Sequence, residues 1–204
     1  MVKKQLNTLL SAALLCLLFV TSATSSAAGF HYQLNLTARL ATTPAGELSG
    51  VEMSWIYDPE LSATLMDGED LSESNREATL KKRAADILDG LLEMKYFTTL
   101  YLDEKVLPTV AVEQYNLQLT KESQLQLNLT LPLAEAQQLN GHLLKVVVSD
   151  PTAVGLATFL TADRLILDES QKKTCADPTL EQKQLGDVDG GHTLMSETMT
   201  VDCR

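Results

Sequence analysis

Between positions 30 and 40 the apolar residues Phe30, Tyr32, Leu34, Leu36, Ala38 and Leu40 alternate strictly with His31, Gln33, Asn35, Thr37 and Arg39. Successive side chains of an extended strand point to opposite faces, so a period of two specifies one buried face and one solvated face. A helix is excluded, because it would scatter the same apolar residues around its whole surface. The alternation returns at Val51, Met53, Trp55 and Tyr57, after a turn carrying Pro44 and Gly46, and this predicts an antiparallel hairpin. It returns again at Leu125, Leu127, Leu129, Leu131 and Leu133, preceded by Tyr115, Leu117 and Leu119, which predicts a second hairpin. Leucine is not a favoured strand residue, but strict alternation outweighs propensity here.

Between the hairpins the period changes. Leu80, Ala84, Ile87, Leu88, Leu91 and Leu92 recur at steps of three and four, with Lys81, Lys82, Arg83, Asp86 and Asp89 mostly on the other face, the pattern of an amphipathic helix. Ser72 or Ser74 is the expected N-cap, and a shorter helix is expected over 61–66. Further strands are expected over 98–102, 106–112, 142–148, 155–160 and 165–167. The fold class is therefore α+β, a mainly antiparallel sheet or sandwich with one principal inserted helix. Residues 29–170 are expected to form the single domain, and 171–204 a polar C-terminal tail.

The first twenty-eight residues read as a cleavable signal peptide: Lys3 and Lys4, an apolar run over 9–20, and small residues before a cut near Ala28 and Gly29. The run is too short to span a bilayer, so a periplasmic protein without a membrane anchor is expected. Lys3 and Lys4 leave with the signal and no acid does, so the whole-chain formal charge of −11 becomes −13. Nucleic acid is excluded as a partner, because phosphate binding needs clustered cations. Of three cysteines, Cys16 lies in the signal. The remaining pair, Cys175 and Cys203, is expected to form a disulfide that staples the tail to itself.

No nucleophile elbow, zinc-protease helix, dinucleotide fingerprint or phosphate loop occurs, so a binding role is expected rather than an enzyme. The metal-ligating candidates fall in two places. His31 adjoins the mature N-terminus, where the amine of Gly29 and the imidazole are able to share a zinc, nickel or copper ion. Asp187, Asp189 and His192 are able to gather around a cation in a glycine-containing stretch, although Asp and Gly also build ordinary turns. Trp55, Tyr57, Tyr96 and Phe97 read first as core, with an aromatic ligand pocket as the second reading.

His31 with Asn35-Leu36-Thr37, then Trp55-Ile56-Tyr57-Asp58 with Ser62, then the segment 93–98, then Leu131-Pro132-Leu133, and finally Ser149-Asp150-Pro151-Thr152 stand in a characteristic order. In these segments the chain, from His31 to about Cys203, resembles the bacterial family called domain of unknown function 1007. The resemblance implies a periplasmic component of an ABC-type transport system connected with divalent transition-metal homeostasis. Gly29 and Phe30 stand where that family has a first His and a Pro, Asn35 where it has an Asp, and Ala153 where it has an aromatic residue. The alternative expectation is a structural or interaction module that docks on a membrane partner and takes no small ligand.

Overall fold

The computed structural model describes residues 30–188 and 192–204. The signal segment and Gly29 lie outside the described residues, as does Asp189. Eleven strands, β1 (Tyr32–Thr42), β2 (Leu48–Tyr57), β3 (Thr98–Leu102), β4 (Lys105–Leu107), β5 (Tyr115–Leu119), β6 (Leu125–Gln137), β7 (Leu143–Val148), β8 (Gly155–Thr158), β9 (Leu165–Ile166), β10 (Thr179–Val188) and β11 (His192–Asp202), make two sheets. The first runs β5-β6-β2-β1-β8 with β9 also on β1, and the second runs β10-β11-β7-β3-β4. The helices α1 (Pro59–Met66) and α2 (Arg76–Leu92) lie in the connection from β2 to β3. The architecture is an α+β sandwich with mostly antiparallel sheets.

Both predicted hairpins form. Leu36 pairs with Trp55 across β1 and β2, and Leu117 with Leu127 across β5 and β6. The alternating residues face inward: Leu34, Leu36, Trp55, Leu125, Leu127 and Leu131 are buried against Leu100, Leu144, Val146 and Met199 of the second sheet. Fully burying a side chain of this size stabilises by about 1.5–3 kcal/mol, so a one-residue slip in register, which would turn every inward side chain out, is strongly opposed.

The pairings of β1 with β8 and with β9 are parallel, in a sheet whose other pairings are antiparallel. Three local expectations are corrected. Helix α2 starts at Arg76 with Asn75 at the cap position and no side-chain cap; Ser72 contributes instead its carbonyl, which accepts from the amides of Asn75 and Arg76. The strand expected over 106–112 stops at Leu107, because Pro108 has no N–H to give a ladder. The segment 171–204 is no tail: β11 lies between β10 and β7, with Met199 and Val201 fully buried. Its partner β10 is an edge strand exposed along most of its length, so it carries no apolar alternation to betray it.

Cys175 and Cys203 are joined by a disulfide, which ties the start of this segment to the end of β11. A second tie crosses the sandwich. Glu197 of β11 is 2% exposed, and its carboxylate accepts from Thr158 Oγ1 at 2.5 Å, Phe159 N at 2.6 Å and Gln182 Nε2 at 2.6 Å. A buried carboxylate is tolerable only when its lone pairs are filled in this way. Here the filling also fastens β8 of the first sheet to β11 of the second.

Candidate functional site

The start of β1 meets the loop between β7 and β8. Asp150 is 2% exposed; one carboxylate oxygen accepts from Thr152 N at 2.8 Å and Thr152 Oγ1 at 2.7 Å, the other from Tyr32 OH at 2.6 Å and Gly155 N at 2.8 Å. Burial, and after it the hydrogen bond to Asp150, pushes the Tyr32 hydroxyl well above its ordinary pKa. The Tyr32 ring lies so close to Gly155 that a Cβ there would meet its Cε2 at 1.9 Å. Ser149 Oγ donates to Met195 O at 2.7 Å, which attaches the same loop to β11.

On this corner His31, whose amide donates to Val154 O at 2.8 Å, comes beside His192 at the first position of β11. The ring centroids are 5.2 Å apart and the planes tilted by 59°. Zinc binds imidazole nitrogen at about 2.0–2.1 Å, which places two rings on one tetrahedral ion with centroids about 5 Å apart. The centroid spacing of His31 and His192 is of that order. Asp187 does not join the pair. Val188 pairs with His192 and Asp187 with Thr193, so Asp187 and His192 lie on opposite faces of the hairpin, and the Asp187 carboxylate accepts from Thr193 Oγ1 at 3.0 Å. Among the described residues no group of three or more His, Cys, Asp or Glu side chains is placed to hold an ion. The structure thus takes one residue from each candidate set of the sequence and unites them. The remaining histidine, His142, pairs its Nδ1 with Asp103 Oδ2 at 2.5 Å on the far side of β7 and β3.

The two helices cover the inner face of the first sheet beside this corner and leave a cavity of about 320 Å³. Its sheet side consists of Tyr32, Leu34, Trp55 and Tyr57, and its helix side includes Leu65, Ile87 and Leu91. Asp58 fixes the approach of α1 by accepting from Leu61 N at 2.8 Å and from Gln33 N of β1 at 2.6 Å. Phe97 forms part of the wall, stacked on Trp55 with ring centroids 6.0 Å apart and planes 3° from parallel. Its position follows from an unusual turn: Lys95, Tyr96 and Phe97 have φ of 51°, 52° and 52°, three successive non-glycine residues in the left-handed region. Burial raises the Tyr57 hydroxyl pKa well above the ordinary value.

The model of the family described as protein of unknown function (DUF1007) matches residues 13–184. The chain belongs to that family. No curated protein and no solved structure matches the chain. Most of the segments on which the DUF1007 resemblance rests are dispersed in sequence but fall in two neighbouring places: 149–152 and the start of β1 form the corner, while Trp55, Tyr57 and Phe97 line the cavity; Leu131-Pro132-Leu133 lies apart from both, in β6. The matched region ends before β11, so His192 and Cys203 fall outside it. Sequence reasoning named His31 and His192 but missed their neighbourhood; it named Asp150 only within a family segment and passed over Glu197, although each has a partner more than thirty residues away. Among the described residues no helix is long and apolar enough to cross a membrane.

Proposed function

We propose that this DUF1007 member is an exported, periplasmic binding protein that takes a divalent transition-metal ion at His31 and His192, as an accessory component of a membrane transport system. The observation that carries the reading is the approach of the two imidazoles at a spacing suited to one ion. The amine of Gly29, two residues before His31, and the carboxylate of Asp189, three before His192, are the nearest further donors in sequence. The disulfide is in keeping with an oxidising compartment, and the acidic surface attracts cations. No catalytic step is assigned to the ion; the chain's contribution is to hold it.

Native mass spectrometry of the signal-cleaved protein with added zinc, nickel or copper tests this. One metal ion per chain is expected at micromolar concentration, with at least a tenfold loss of affinity in each of His31→Ala and His192→Ala. Absence of stoichiometric metal, or metal retained in both variants, would refute the site and leave docking on a membrane partner as the better account.

A further inference from the structure

We infer that the edge strand β10 pairs antiparallel with β10 of a second copy of this chain, about a two-fold axis at Gln182, so that the β10 sheets of two copies join into one. The inference is independent of the metal reading, since the paired stretch contains neither histidine.

An edge strand presents a row of backbone N–H and C=O groups with no partner on one side. Proteins blunt such edges by keeping them short, covering them or placing proline on them. Among the described residues the other edges are short: β5 has five residues, β8 four, β9 two, and β4 three with Pro108 directly after it. Strand β10 has ten residues, no proline, and is exposed along most of its length. Gln184 pairs with Met195 and Gly186 with Leu194, so Leu185 is the extra residue of a bulge. Its apolar side chain is 51% exposed.

Side-chain parity and charge choose the register. Leu180 packs against the core and Gln182 donates to the buried Glu197, so the even-numbered residues lie on the side of the sandwich interior. Glu181 and Lys183 lie on the opposite side, beside Ser196, Thr198 and Thr200. Directly opposed residues of an antiparallel pair point to the same face, hence even must meet even, and the axis passes through a residue rather than between two. An axis at Glu181 sets that carboxylate against its own copy, and an axis at Lys183 does the same with the ammonium; like charges directly opposed destabilise a pair. An axis at Leu180 brings Pro178 into the ladder, where it has no N–H to give, and an axis at Gln184 runs through the bulge. An axis at Gln182 sets Glu181 against the second copy's Lys183 and Lys183 against its Glu181. Among the described residues neither side chain has an ion pair within its own chain. Pairing then extends over residues 180–184 and stops at the bulge on each side. Such an interface uses the same patch of both copies, so it closes at a dimer.

Sedimentation equilibrium of the signal-cleaved protein, with a chelator present so that no metal bridges the copies, is expected to show a monomer–dimer equilibrium at micromolar concentration. Glu181→Lys and Lys183→Glu each set like charges against one another on both sides of the axis, and each is expected to weaken the dimer at least tenfold. Both positions are exposed, so the fold of either variant is unaffected. A one-to-one mixture of the two variants restores both opposite-charge pairs, as does the double swap Glu181→Lys with Lys183→Glu, and both are expected to recover the wild-type association. Wild-type protein that stays monomeric to hundreds of micromolar overturns the pairing. So does a dimer undiminished in either single variant, or a mixture or double swap that fails to recover it.

Discussion

Replacing the disulfide by Cys175→Ser with Cys203→Ala should cost a predictable amount. The bond closes a loop with a sequence separation of 28, and the loss of unfolded-chain entropy for a loop of that length is equivalent to about 3.6 kcal/mol at 25 °C. The native side of the equilibrium changes little. Cys203 is 4% exposed, and alanine there avoids burying a hydroxyl. Its backbone remains held, with Cys203 N donating to His142 O at 3.0 Å and Gly141 N donating to Cys203 O at 2.7 Å. Since β11 pairs with β7 over six residues, the strand should stay in place and the effect should lie in the unfolded state. Urea denaturation of the wild-type and double-variant proteins measures the difference, and the variant's denaturant slope should be steeper because its unfolded chain is free to expand. A loss of about 3–4 kcal/mol is expected. A loss below about 1 kcal/mol would refute the loop-entropy reasoning, and so would an equal loss with β10 and β11 detached in hydrogen exchange, which would place the effect in the native fold.

Two further predictions concern the corner around Asp150. Gly155→Ala should destabilise by about 2–3 kcal/mol, because the new Cβ collides with the Tyr32 ring, and the cost should shrink in a Tyr32→Leu background; additive losses would refute the collision. Tyr32 and Tyr57 both have hydroxyl pKa values raised by burial, so their contribution to stability is fully present below the unfolded tyrosine value of about 10 and is lost as pH rises beyond it. Phenolate absorbance of the native protein should therefore fall short of its five tyrosines until the chain unfolds; reversible ionisation of all five in folded protein near the ordinary value would contradict the burial argument.

The convergence of dispersed DUF1007 segments gives the corner and the cavity a common frame. Asp58 caps α1 and also accepts from Gln33 N of β1, while Asp150 collects Tyr32 and Gly155. Two carboxylates thus fix the first residues of β1 on either side, next to His31. The same strand start supplies Tyr32 and Leu34 to the cavity, so the proposed metal site and the cavity share an element held by both carboxylates.

The sequence by itself determined what depends on local periodicity. Alternation at 30–40, 51–57 and 125–133 named the inward face of β1, β2 and β6, and the three- and four-residue recurrence from Leu80 to Leu91 named the buried stripe of α2, because side-chain direction along a regular element is fixed by its backbone. The parity of the cysteines pointed to their bond. Tertiary structure decided what depends on pairings distant along the chain. The parallel seating of β8 and β9 on β1, and the placement of β11 between β10 and β7, follow from pairings that no local pattern announces. Edge strand β10 had no inward face to announce. His31 and His192 lie 161 positions apart and meet only because β1 and β11 begin at one corner, and the cavity exists only where the two helices span a sheet face they do not fill. Periodicity fixes which way a side chain points, but the element it meets is set by the packing of the whole chain.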